Sequence, residues 1–61
     1  MYNIVQQNTG KFVKFYWFDY TIVDNMRAAT IFNTKDEAIA KIYSKLNPEW
    51  YDVRSLELGE N

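Results

Sequence analysis

The ten residues from Lys11 to Tyr20, KFVKFYWFDY, hold most of the aromatic side chains of this chain. Six of the ten are aromatic, whereas all 61 residues together contain five Tyr, four Phe and two Trp. A run of aromatic and β-branched residues is typical of a β-strand. A domain of this size buries only about 60% of its unfolded surface, so one strand cannot hide all these rings in a core. We therefore expect a small sheet in which some of these aromatic side chains are covered by something other than the hydrophobic core.

Length and composition indicate one small domain without the usual stabilising additions. We expect residues 1–61 to form a single domain, with residues 58–61 as a flexible tail. The sequence has no Cys and no His, which excludes disulfides, thiolate ligands and imidazole chemistry. The net charge of −1 is far from the basic surface expected of a duplex DNA-binding protein.

The first third of the chain predicts a β-hairpin. The segment YNIVQQ alternates as a strand does, and Asn8, Thr9 and Gly10 supply a turn before the aromatic run begins. A straight strand over residues 11–23 would exceed about 40 Å, too long for so small a domain. We therefore expect a break between residues 19 and 25. The segment 28–33 is interpreted as a short third strand or an extended entry to a helix.

A helix is predicted near residues 35–46. Thr34 and Glu37 form a capping box, in which the Thr hydroxyl accepts a hydrogen bond from the Glu37 amide. Apolar residues then recur on one helical stripe, and the lysines fall on another face. The stripe consists of Ala38, Ile39, Ile42, Tyr43 and Leu46. Asn47-Pro48 ends the helix, and residues 51–58 are predicted to form a closing strand.

These elements together predict an α+β fold. We expect a small antiparallel sheet of three to four strands, with the β-hairpin first, packed on one α-helix in the order β-β-(β)-α-β.

The residue types required for catalysis are missing or scattered. Neither serine lies in a nucleophile elbow, and Gly10 and Gly59 are too few for a phosphate loop. Asp19, Asp24 and Asp52 share no motif, and solvated turn or edge positions explain them. We expect no enzyme activity, no catalytic residues, no cofactor and no metal site.

The aromatic run predicts the candidate binding surface. In a strand, Val13, Phe15 and Trp17 point to one face, and we expect them to lie under the helix. The other face would then be exposed and would bind a partner. That predicted partner-binding face consists of Phe12, Lys14, Tyr16, Phe18 and Tyr20.

Three interpretations of this second face remain open. Loops and nearby aromatic residues cover it, as happens in small cores. Alternatively it contacts a protein partner or a second copy, since aromatic residues are enriched at interfaces. In the third, it stacks the bases of a single-stranded nucleic acid. The net charge, with only Lys11 and Lys14 on the strand, makes nucleic acid the weaker alternative.

The start MYNIVQQNTG lacks the pattern of a secretory signal, and no apolar run approaches the roughly 20 residues that cross a bilayer. We expect a cytoplasmic protein that does not bind membranes.

Several structural positions resemble a family of small bacteriophage and prophage proteins. Their pattern G-K-F/Y-V … A-x-x-F-x-T-x-x-E-A-x-x-x-I is matched by GKFV at residues 10–13 and by six later positions. The later matches are Ala29, Phe32, Thr34, Glu37, Ala38 and Ile42. The resemblance spans residues 2–46 and implies a phage accessory protein, of a kind that often binds and inhibits a host or defence protein. It transfers no functional residue, because the matched positions are core and cap residues.

The functional expectation is therefore a small non-catalytic protein-binding module, encoded by a phage or mobile element, that modulates a host or defence protein in the host cytoplasm. The alternatives are a single-stranded nucleic-acid-binding protein that stacks bases on its sheet, and a structural or self-associating domain.

Overall fold

A computed structural model describes residues 1–56 of the chain. One four-stranded antiparallel sheet, in the order β3-β2-β1-β4, packs against one α-helix, which confirms the predicted fold class. The elements are β1 (Tyr2–Gln6), β2 (Phe12–Phe15), β3 (Tyr20–Val23), a 3-10 turn (Met26–Ala28), α1 (Lys35–Lys45) and β4 (Tyr51–Ser55). The predicted tail at 58–61 and the last residues of the predicted closing strand lie outside the described residues.

The first hairpin forms as its turn residues predict. Gly10 has a φ of 74°, a conformation that L side chains rarely adopt, and its N–H donates to the Gln6 carbonyl at 2.8 Å. The Gln6 N–H donates in turn to the Lys11 carbonyl at 2.7 Å. This closure sets β1 and β2 in register with Val5 opposite Phe12.

The break in the long aromatic segment was predicted at the wrong place. The chain reverses at residues 16–19, earlier than the expected interval of 19–25, and Phe15 pairs directly with Tyr20. The third strand is therefore Tyr20–Val23, and the segment 28–33 does not form a strand of its own. Asp24 and Asn25 do make the second turn, where the Asn25 side chain accepts a hydrogen bond from the Arg27 N–H at 2.8 Å.

The segment after the 3-10 turn runs between β1 and β2 as an extended entry to the helix. Thr30 contacts β2, because its N–H donates to the Val13 carbonyl and its hydroxyl accepts from the Phe15 N–H at 2.7 Å. Two residues later Phe32 exchanges both backbone hydrogen bonds with Tyr2 of β1. The segment thus takes hydrogen bonds from both strands at the end of the sheet where they separate.

The helix begins at the predicted cap. The Thr34 hydroxyl accepts a hydrogen bond from the Glu37 N–H at 3.2 Å, and Asp36 and Glu37 occupy the first turn, next to the positive end of the helix dipole. α1 lies over β1 and β4. Its buried side faces the sheet, and the core between them contains Ile4, Val13, Ala38, Ile42, Leu46 and Tyr51.

Two members of the predicted apolar stripe lie outside this core. Ile39 is only partly covered and Tyr43 is 71% exposed. Both residues lie on the side of α1 that borders β4, whereas Ala38, Ile42 and Leu46 face the sheet. Because α1 lies over β1 and the end strand β4, the outer part of its apolar stripe extends past the edge of the sheet.

The side of the sheet opposite α1 is also partly covered. Val5, Phe12 and Ala29 form a second buried cluster, and Val23 packs against it. The loop around the 3-10 turn therefore covers part of this face. Asn3 lies on the same face and is fully buried.

Candidate functional site: an aromatic hairpin tip

The predicted row of five partner-binding residues does not exist as one face. Phe12 is only 9% exposed: it packs with Val5 and Ala29, and the Arg54 guanidinium lies 5.8 Å from the centre of its ring. The strand ends at Phe15, so the residues beyond it do not continue the alternation. The two-residue periodicity of a strand does not predict where residues after Phe15 point, because a turn replaces the second half of the predicted strand.

The structure brings Tyr16, Trp17, Phe18 and Asp19 together as the tip of the β2–β3 hairpin, which we call the aromatic tip. The Tyr16 N–H donates to the Asp19 carbonyl at 2.7 Å, and the Asp19 carboxylate accepts from the Tyr20 N–H at 2.7 Å. Between these bonds, Trp17 is 92% exposed and Phe18 is 89% exposed. Two large apolar side chains thus project into solvent from a hydrogen-bonded turn.

The placement of Trp17 corrects a second expectation. We predicted that Trp17 would lie under the helix with Val13 and Phe15. Val13 is indeed in the core and Phe15 packs against it, but Trp17 lies beyond the end of the strand. The candidate site therefore includes a residue that strand alternation assigned to the core.

Ring contacts hold the base of the tip. The Phe15 and Tyr20 rings lie 6.1 Å apart, and the Phe15 and Phe32 rings meet edge to face at 6.2 Å. Phe15 packs against the helix-side core, so its pairing partner Tyr20 also lies on the helix side, not on the opposite face as predicted. The tip therefore projects from the edge of the core, next to α1.

Basic side chains flank the aromatic tip. The Lys41 ammonium lies 5.4 Å from the centre of the Phe15 ring, and the Lys14 ammonium lies 5.6 Å from the centre of the Tyr16 ring. Lys41 and Lys45 of the helix line a cavity of about 190 Å³ together with the tip and Tyr20. The tip thus combines exposed apolar rings with three cations, of which Lys14 alone was part of the predicted site.

The Tyr20 hydroxyl remains neutral in this setting. The neighbouring Tyr51 raises the pKa of Tyr20 above its ordinary value, and partial burial and the Asp19 carboxylate act in the same direction. The Tyr20 hydroxyl, which is hydrogen-bonded to Tyr51, therefore stays protonated and uncharged at physiological pH.

Sequence reasoning missed Lys41 and Lys45 as parts of the site. Their shared helical face was visible at i and i+4, but no local signal indicates that this face meets the β2–β3 hairpin. That meeting depends on the position of the turn at residues 16–19.

Within residues 1–56 there is no cluster of three His, Cys, Asp or Glu side chains able to hold a metal ion. In the same part of the chain, no helix is both long enough and apolar enough to cross a membrane.

Comparisons with protein-family models, with curated proteins and with solved structures each returned no match to this chain.

Proposed function

We propose that this protein is a small non-catalytic binding module that recognises a protein partner through its aromatic tip. The observation that supports this most is the exposure of Trp17 and Phe18 on a hydrogen-bonded hairpin with a packed base. Soluble proteins seldom leave two adjacent large rings in water without a use for them. Trp is also one of the residue types enriched among interface hot spots.

The geometry of the tip favours a concave partner. Trp17 and Phe18 project from a narrow turn, so they fit a cleft or pocket better than a flat surface. The hairpin is already ordered by the bond between Tyr16 and Asp19, so little backbone entropy is lost when it inserts. Because this entropic cost is low, a few side chains at the tip are enough to supply a useful binding free energy.

The charges around the tip indicate the rim of the partner site. Lys14, Lys41 and Lys45 lie beside the rings. Acidic side chains around an apolar cleft would complement them and would speed association. The proposed partner is therefore a protein with an apolar cleft and a negatively charged rim.

Affinity capture from a bacterial lysate tests this function. Immobilised wild-type protein should retain one or more proteins that the double variant Trp17→Ala/Phe18→Ala does not retain. Met26→Ala is the matched control, since Met26 is an exposed apolar residue outside the aromatic tip. Equal capture by wild type and the double variant would contradict the proposal.

Single-stranded nucleic acid is the second candidate, and the lysines near the rings favour it more than the sequence did. Base stacking on the sheet loses its basis, since Phe12 is buried; stacking on Trp17 and Phe18 beside Lys41 and Lys45 replaces it. Titration with short single-stranded oligonucleotides at two salt concentrations separates the candidates. Salt-sensitive quenching of Trp fluorescence would favour nucleic acid, and unchanged fluorescence would favour the protein partner.

The biological setting that we propose rests on the sequence alone. The resemblance to small phage proteins supports a role in modulating a host or defence protein in the bacterial cytoplasm. Partners retained in the capture experiment would test that setting by their identity.

A further inference from the structure

The outer edge of β4 is a second candidate surface, remote from the aromatic tip. The strand order places β4 at one end of the sheet. The bonds from the Gln7 N–H to the Trp50 carbonyl and from the Leu56 N–H to the Met1 carbonyl show which residues of β4 point toward β1. Hydrogen-bonded pairs alternate along an antiparallel ladder, so the even-numbered residues between Trp50 and Leu56 direct their N–H and C=O groups toward β1. Val53, an odd-numbered residue, directs its N–H and C=O groups outward, away from β1.

We propose that a second copy of this chain docks on this edge, in an antiparallel pairing centred on Val53. A two-fold axis at Val53 sets the two Val53 residues opposite each other, where they exchange N–H···O=C hydrogen bonds. The result is one continuous eight-stranded sheet. This inference is independent of the function proposed for the aromatic tip.

Charge complementarity argues for a second copy as the occupant. Asp52 and Arg54 flank Val53 and both point away from the helix, as the position of Arg54 over the Phe12 ring shows. In the proposed register Asp52 of each copy lies opposite Arg54 of the other. These are the non-hydrogen-bonded pairs of the ladder, in which side chains approach most closely. The pairing therefore places opposite charges together twice and like charges nowhere along this row.

The exposed apolar side of α1 fits the same arrangement. A two-fold axis perpendicular to the sheet puts both helices on one face. Each helix lies over its own β1 and β4, so two strand spacings, about 10 Å, separate the helix axes. Helices pack at about 8–10 Å. Ile39 and Tyr43 line a groove of about 720 Å³ beside β4 and would meet their counterparts there.

The test is the mass of the wild-type chain and of charge variants by sedimentation equilibrium over a concentration series. Wild type should approach twice the 7.3 kDa of one chain as concentration rises. Asp52→Arg and Arg54→Asp should each be monomeric, because each sets like charges against each other. Circular dichroism checks that the variants fold, which matters for Arg54 because it covers Phe12.

The most decisive test of the proposed register is to mix the two single charge variants. The two single variants combined in equal amounts should form a heterodimer, because both cross-strand pairs are then complementary. The doubly substituted chain Asp52→Arg/Arg54→Asp should likewise recover the dimer.

Tyr43→Lys provides a variant that preserves the fold, since Tyr43 is exposed, and it should weaken the dimer at least tenfold. Trp17→Ala should leave the mass unchanged, which separates this surface from the aromatic tip. A wild-type chain that stays at 7.3 kDa, or a dimer that survives Asp52→Arg, would overturn the proposal.

Discussion

Phe15 pairs directly with Tyr20 across the β2–β3 hairpin, and their rings lie 6.1 Å apart. This contact divides the aromatic run into two parts with different roles. Phe12 and Phe15 pack within the domain, whereas Tyr16, Trp17 and Phe18 extend beyond the last ring contact. Every expectation for the candidate site depends on this division.

The aromatic tip should contribute little to stability. Trp17→Ala removes a side chain that is almost fully exposed, so the free energy of unfolding should change by no more than about 0.5 kcal/mol. Thermal unfolding followed by circular dichroism measures this change. A loss of about 2 kcal/mol or more would mean that Trp17 packs within the domain, and the tip would no longer be a free binding surface.

The helix core should respond in the opposite way. Ile42 is only 4% exposed and lies between the helix and the sheet, so Ile42→Ala should cost about 2–5 kcal/mol. A loss of that size would unfold most of a domain this small. Tyr43→Ala, one residue further along the helix, is the matched control and should melt close to wild type when both are measured at a concentration low enough for the chain to be monomeric. Equal melting temperatures for the two variants would contradict the orientation of α1.

The buried amide of Asn3 predicts a stabilising substitution. Asn3 is fully buried, and neither its oxygen nor its nitrogen has a hydrogen-bond partner within residues 1–56. An unpaired buried amide costs about 1–3 kcal/mol, and Leu has nearly the same shape without polar atoms. Asn3→Leu should therefore raise the free energy of unfolding by about 1 kcal/mol.

Chemical denaturation of purified protein measures the effect of this substitution. Asn3→Asp serves as the opposite case, because it buries a charge at the same position and should destabilise the domain. A lower stability for Asn3→Leu than for wild type would show that the Asn3 amide makes a favourable interaction.

Local signals in the sequence were enough to predict the class of fold. The Gly10 turn and the Thr34 cap both form where expected, because each depends on neighbouring residues alone. The position of the third strand was not predictable in this way. Tyr16, Trp17 and Phe18 all favour strands, and Asp19 is the first turn-favouring residue of the run, so the residue types do not show that the reversal begins at Tyr16.

The candidate site was only partly accessible to sequence reasoning. The aromatic run identified Tyr16, Phe18 and Tyr20, which the structure groups near the tip. Alternation assigned Trp17 to the core because it assumed an unbroken strand. The lysines of α1 join the site through tertiary packing, which no local pattern encodes.

Acrylamide quenching of Trp17 in the presence of a captured partner tests the central claim most directly. Trp50→Phe leaves Trp17 as the one tryptophan of the chain. Its fluorescence should be strongly quenched in the free protein, and the complex should reduce that quenching several-fold as the ring becomes buried. Trp17→Phe, which keeps an aromatic ring at the tip, is the control: once this variant is saturated with the partner, quenching of the remaining Trp50 should equal that in the free variant. Equal quenching of Trp17 in the free protein and in the complex would contradict a binding role for the aromatic tip.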